Sequence, residues 1–119
     1  MSIIRKFEEQ PVIERPQPQN GPGVMITRNL IPGGDTDLWG KGRLFAINTL
    51  NKDCGVGWHM HEGDGEIYYI LEGEAEYNDN GTVTTLKKGD VSFTFPGEGH
   101  SITNLKDEPM TFMAMIIYE

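Results

Sequence analysis

The chain is poor in several of the features that most often fix a protein's class. Of its 119 residues only one is cysteine, three are histidine and two are tryptophan. The lone thiol, Cys54, has no partner for an internal disulfide, which fits a reducing compartment. No stretch approaches the roughly 18 consecutive apolar residues that a membrane span requires. The start, Met1 to Gln10, mixes Arg5, Lys6, Glu8 and Glu9 with short apolar pieces and lacks the apolar core of about 7 to 15 residues found in a secretory signal. Together these absences predict a cytoplasmic address. Positive charge is also scarce: ten Lys and Arg stand against eighteen Asp and Glu, a net charge of −8. Nucleic-acid binding needs clustered cations to neutralise phosphate, and anionic membrane surfaces need the same, so neither is an expected partner. Amphipathic helical periodicity is missing as well, apart from a single turn suggested at Leu38 to Gly40.

What the chain does have is strand rhythm. From Val24 onward, short apolar segments alternate with turn residues at the spacing of an all-β sandwich or barrel. The candidate strands are Val24–Leu30, Arg43–Leu50, Gly57–His61, Glu66–Glu72, Glu74–Asn78, Thr82–Lys87, Val91–Phe95, Ser101–Leu105 and Met110–Tyr118. Turn signals separate them at Pro32-Gly33-Gly34, Glu62 to Gly65, Glu72-Gly73, Lys88-Gly89-Asp90 and Pro96-Gly97. Asn80-Gly81 is the strongest, because a two-residue hairpin turn requires positive φ. Val91, Phe93 and Phe95 alternate with Ser92 and Thr94, the pattern of a half-buried strand with its apolar face inward. Met110 to Ile117 is apolar on both faces apart from Thr111 and is expected to lie centrally, with Met113, Met115 and Ile117 facing the core. Residues 14 to 23 carry three prolines and two glycines and read as an extended connector. The chain therefore divides into a leading strand, placed near Ile3 to Phe7, with its connector (1–23), and a β barrel (24–119).

All three histidines fall into one ligand-like constellation. His59 and His61 flank Met60, Glu66 follows, and His100 stands further on. Side chains two apart on a strand share a face, so His59 and His61 converge while Met60 points away. If Glu62 to Gly65 forms a four-residue hairpin turn, His61 lies opposite Glu66 on the returning strand, with Cβ atoms about 5 Å apart. His100 begins a later strand, and closure of a barrel can bring it across as a fourth ligand. Neutral imidazoles with a carboxylate suit a divalent first-row transition ion: manganese, iron, nickel, cobalt or zinc.

These residues resemble the cupin superfamily. Its first motif is matched by His59-Met60-His61, Glu66 and Gly73, with Glu62 to Gly65 as the spacer. Asp53 stands where that motif opens on a glycine, and glycines fall instead at 55 and 57. The second motif is matched by Gly89, His100 and Asn104, with Pro96-Gly97 displaced by one position. The resemblance implies a small double-stranded β-helix, or jelly-roll, cupin barrel with a metal in its mouth. It further implies His59, His61, Glu66 and His100 as ligands, leaving two adjacent positions on an octahedral ion for water, a bidentate carboxylate or dioxygen.

Beside the ligands, Tyr68 follows Glu66 on the same face and is a candidate to contact a bound molecule. Arg43 shares a face with Phe45 and Ile47, an unusual place for a charge unless it meets an anion, and is the candidate anchor for a substrate carboxylate. No dedicated nucleophile or general base is apparent. Tyr68 and Glu98 are the titratable candidates for proton transfer, and the catalytic residues are otherwise unassigned. The function expected is that of a metalloenzyme acting on a small carboxylate or carbonyl compound, with decarboxylase- or dioxygenase-like chemistry by analogy with the resembled family. The alternatives are a non-catalytic small-ligand-binding or sensing module, and a purely structural barrel. Ile3, Ile4, Phe7, Val12 and Ile13 have no evident core partner, which predicts a homodimer in which the leading strand adds to the edge of a second copy.

Overall fold

A computed structural model describes residues 2–31 and 33–119. Ten strands form two antiparallel sheets: β1 (Val12–Pro16), β2 (Val24–Asn29), β3 (Gly42–Leu50), β4 (Gly55–Met60), β5 (Asp64–Glu72), β6 (Glu74–Asp79), β7 (Thr82–Lys87), β8 (Val91–Thr94), β9 (Gly99–Thr103) and β10 (Met110–Tyr118). The six-stranded sheet has the order β1-β2-β3-β10-β5-β8 and the four-stranded sheet the order β4-β9-β6-β7. One short helix, α1 (Gly34–Asp37), and two 3₁₀ turns complete the described residues, none long and apolar enough to cross a membrane. The arrangement is the double-stranded β-helix expected from the strand rhythm. The turn signal at Pro32 lies outside the described residues.

The core sits between the two sheets. Leu50, Ile70, Ile102, Met110 and Phe112 are fully buried there; each such side chain contributes roughly 1.5–3 kcal/mol relative to exposure. β10 takes the central place that its doubly apolar sequence predicts, paired with β3 on one side and β5 on the other. Asn80 and Gly81 both have positive φ (51° and 99°) and close the β6–β7 hairpin.

Four expectations are corrected. The leading strand is Val12–Pro16, not Ile3 to Phe7. It pairs with β2 of its own chain, from Val12 opposite Arg28 to Pro16 opposite Val24, so part of the proline-rich connector is itself strand. Pro16 is tolerated because β1 is an edge strand, where a missing N–H costs no ladder bond. On β10 the inward residues are Met110, Phe112, Ala114 and Ile116, while Met113, Met115 and Ile117 are half-buried on the outer face. A strand apolar on both faces gives no period-two signal for which face is inward. On β8 the inward residue is Thr94, and Val91, Phe93 and Phe95 are exposed. Finally, β4 and β5 are not a hairpin. After His61 the chain passes from the four-stranded to the six-stranded sheet, so the Glu62 to Gly65 segment crosses the sandwich.

Asn104, fully buried, explains its place in the second motif in structural terms. Its side-chain amide donates to the carbonyls of Leu50 (2.9 Å) and Glu108 (2.8 Å), and its side-chain oxygen accepts from the Lys106 N–H (2.9 Å). Three main-chain groups in three segments thus depend on one side chain. Asn104→Ala should lower the unfolding free energy by roughly 2–3 kcal/mol, since it leaves buried partners unpaired. Urea denaturation checks this, and a change under about 0.5 kcal/mol would contradict the assigned role.

Candidate metal centre

The ends of β4, β5 and β9 meet at one mouth of the barrel. His59 lies on β4 and His100 directly opposite it on the adjacent strand β9. His61 follows just beyond β4, and Glu66 enters from β5 in the other sheet. A register irregularity between Val56 and His59 adjusts β4 at this point. The constellation is therefore assembled differently from the hairpin that the spacing suggested. Two imidazoles are cross-strand neighbours in one sheet, and the carboxylate is the ligand that comes across.

His59 Nε2 and His61 Nε2 lie 3.0 and 3.1 Å from His100 Nε2. Glu66 Oε1 is 3.2 Å from His61 Nε2 and His100 Nε2, and 3.8 Å from His59 Nε2. The three rings are tilted to one another by 59–69°, so their edges and not their faces converge.

Each far ring nitrogen has its own partner. His59 Nδ1 donates to the Gly57 carbonyl at 2.8 Å. His61 Nδ1 donates to Asp64 Oδ1 at 2.7 Å. His100 Nδ1 lies 2.8 Å from the Tyr77 hydroxyl and 2.9 Å from the Thr94 hydroxyl, either of which can accept its proton. With the Nδ1 positions directed at these partners, all three Nε2 atoms turn toward the Glu66 carboxylate, where each can offer a lone pair to a cation or share a proton with the carboxylate. The four groups, all within 4.8 Å of one another, could hold a metal ion, and they fit one in donor type and in outer support.

Electrostatics agree with that arrangement. Burial pushes the Glu66 carboxyl up, but hydrogen bonds from His100, His59 and His61 outweigh it and hold the group well below the usual carboxylate range. The Glu66 hydrogen bond raises His61 against the effect of burial, and Asp64 adds to the rise. Burial lowers His100, outweighing its contact with Glu66. Tyr68 is buried and stacked on His100, with ring centroids 4.9 Å apart. Burial first, then the Glu66 charge, pushes its phenol well above 10, so it stays protonated.

A cavity of about 370 Å³ opens above these groups, with His59, His61, Glu66 and Tyr68 on its wall. That is near the lower end for small-molecule sites. Arg43 lines the cavity where the β3–β10 pairing shifts register between Ile116 and Ile117. Its Nε donates to Asp64 Oδ2 at 3.0 Å, so its charge is committed to the carboxylate that supports His61. Glu98 does not line the cavity: its Oε1 accepts from the Phe95 N–H at 2.9 Å, inside its own turn. Sequence reading missed Asp64, Thr94 and Tyr77 as partners of the imidazoles, and Arg15, Gln19, Asn48 and Glu62 on the cavity wall. Asp64, three residues after His61, carried a usable spacing signal. The others are brought in by tertiary structure.

The sequence model of the cupin domain family matches residues 47–117, which spans all four converging residues. The chain belongs to the cupins. Among particular relatives, it is 51% identical over 77 residues to the oxalate-binding protein of Thermotoga maritima, a match covering 65% of this chain and 64% of that protein. The matched part thus spans less than two thirds of the relative's length. A crystal structure from Thermotoga maritima, described as a predicted oxalate decarboxylase, superposes with a TM-score of 0.92 at 37% identity, covering 98% of this chain and 100% of that one. A sugar phosphate isomerase from Silicibacter pomeroyi shares the fold alone, with a TM-score of 0.74 at 16% identity over 98% of this chain and 76% of that one.

Outer-shell partners of a metal-bound histidine typically carry 10- to 100-fold in metal affinity. Asp64→Asn should therefore weaken binding of a divalent ion by about that factor, and Glu66→Gln by at least as much. Competition against a chelating dye measures both; equal affinity in Asp64→Asn would exclude the support role. Only neutral imidazoles ligate, and His61 is the ring held above its ordinary value. Protons thus compete with the ion first at His61, and affinity should fall as the pH is lowered, beginning above the ordinary histidine range.

Proposed function

We propose that this cupin uses His59, His61, Glu66 and His100 to hold a divalent transition ion, manganese, iron, nickel, cobalt or zinc, and captures a small carboxylate of the oxalate class beside it. The observation that carries this reading is the convergence of three imidazole Nε2 atoms and Glu66 Oε1, with His59, His61 and Glu66 on the wall of a cavity of about 370 Å³. The relative's name, oxalate-binding protein, supplies the ligand class. A divalent ion in such a site supplies Lewis acidity toward carboxylate oxygens.

The chain's own residues supply the rest. The acceptors at Nδ1 orient the three rings, and the Arg43–Asp64 pair holds His61. Tyr68 presents an uncharged wall and a hydroxyl that donates and does not repel an anion. Decarboxylation is the turnover this set favours, with a dioxygenase as the other metal-dependent form. A second reading, a binding module without turnover, draws support from the position of Glu98 outside the cavity. That leaves Glu62 at the rim and the protonated Tyr68 as the groups able to exchange a proton with a bound molecule. In either form the protein is proposed to act in the cytoplasm and as a homodimer. Support for the second copy comes from the outer face of the six-stranded sheet, where Tyr69, Val91, Phe93 and Phe95 are exposed.

Titration calorimetry of metal-loaded protein should show one oxalate site, abolished by a chelator or by Glu66→Gln. Decarboxylation would release carbon dioxide and formate without consuming oxygen, dioxygenation would consume it, and binding without either product would select the second reading. Absence of oxalate binding to the loaded protein would remove the proposed ligand class. Light scattering should give twice the chain mass, and a monomer at micromolar concentration would reject the dimer.

A further inference from the structure

The cavity wall contains a cation that no motif pointed to. Arg15, on the edge strand β1, lines the same cavity as His59, His61 and Glu66. Among the described residues its guanidinium has no carboxylate within 4.0 Å and no hydrogen-bond acceptor, whereas Arg5 and Arg43 each lie beside an aspartate. Its charge is near enough to influence Tyr68, which stacks on His100. Arg15 is exposed on β1, and in a chain with a net charge of −8 it brings an uncommitted positive charge to the cavity.

The segment carrying Arg15 is fixed firmly to the metal-bearing strand. After β1 the chain makes a 3₁₀ turn over Pro18–Asn20; Gln17 just before it, and Gln19 and Asn20 within it, have positive φ (47°, 51° and 62°). Three consecutive or near-consecutive non-glycine residues in that region cost about 1–3 kcal/mol each and persist only where surrounding structure enforces them. The enforcement is a backbone-to-backbone approach onto β4. A Cβ on Gly57 would run into the Gln19 carbonyl, and one on Gly21 into the Gly55 carbonyl. Gly55 N–H donates to the Pro22 carbonyl at 2.9 Å, and Gln17 N–H to the Gly23 carbonyl at 2.7 Å. Gly57 on β4 and Gly21 on the leading segment are thus what let that segment close down on the strand that carries His59. Its turn also places Gln19 on the cavity wall.

From this geometry we infer that Arg15 is the specificity-determining anchor of the site, holding the second carboxylate of a small dicarboxylate whose first carboxylate lies at the ion. The inference rests on the proposed metal-dependent carboxylate site and deepens it. Charge matching supports it. A divalent ion with Glu66 leaves one positive charge, Arg43 and Asp64 cancel, and Arg15 supplies a second, while Glu62 is exposed to water at the rim. A dianion balances that pair and a monocarboxylate does not. Arginine also suits the task by geometry, because its planar fork meets a carboxylate through two parallel N–H donors. Arg43 is less suited, since its Nε donates to Asp64 Oδ2 at 3.0 Å and that carboxylate offsets its charge.

The test compares oxalate and acetate binding by calorimetry to the metal-loaded full-length chain, for wild type, Arg15→Gln and Arg15→Lys. Arg15→Gln should weaken oxalate binding roughly 10- to 100-fold, as loss of a charge-assisted bidentate contact does. Acetate binding and metal affinity, the latter read by dye competition, should be unchanged, so the preference for the dicarboxylate collapses. Arg15→Lys should recover part of it. Oxalate bound equally by wild type and Arg15→Gln overturns the anchor while leaving the metal-dependent site standing. Equal loss of oxalate, acetate and metal assigns Arg15 a merely structural role and overturns the anchor too. Wild-type protein that binds metal but no oxalate overturns both the anchor and the proposed ligand class.

Discussion

Four lone-pair donors held at one mouth of a β sandwich are the constraint to which the rest of this structure answers. Two imidazole nitrogens at 3.0 and 3.1 Å from a third, with a carboxylate oxygen 3.2 Å from two of the three, repel one another unless a positive charge, ion or proton, lies between them. The fold supplies the rigidity that keeps them together, because each ring is pinned at its far nitrogen by a different kind of acceptor: a main-chain carbonyl, a carboxylate and a pair of hydroxyls. A site built on strands with its outer partners in place has its geometry fixed before any ion arrives.

The same requirement accounts for the part of the sandwich that departs most from simple hydrophobic patterning. β8 turns Thr94 inward and exposes Val91, Phe93 and Phe95. A fully buried His100 needs a polar neighbour for Nδ1, and Thr94 with Tyr77 provides it. The consequence is an exposed apolar outer face on the six-stranded sheet. Support of His100 and exposure of Val91 and Phe93 are thus two sides of one strand.

Much of the fold was legible in the sequence because period-two patterning and turn chemistry are local. Asn80-Gly81, the run from Thr82 to Lys87 and the span of β10 needed no tertiary information. Legibility failed where both faces of a strand are apolar, as at Met113 and Met115, and where a turn-like segment joins two sheets, as at Glu62 to Gly65. The four converging residues were recognisable by type and spacing, but their assembly was not. The expected hairpin pairing of His61 with Glu66 gave the right residues for a reason that the topology does not share.

The sequence by itself determined which side chains are available for a cation, since a chain with three histidines that places all of them in two short motifs leaves few other choices. It determined the strand segments as well, through periodicity. Tertiary structure alone decided that Arg43 is committed to Asp64, that Glu98 serves its own turn and that Arg15 reaches the cavity from a distant segment. The physical reason is range: hydrophobic period and turn preference act over a few residues, whereas pairing of charges depends on distances that only the packed sheets set.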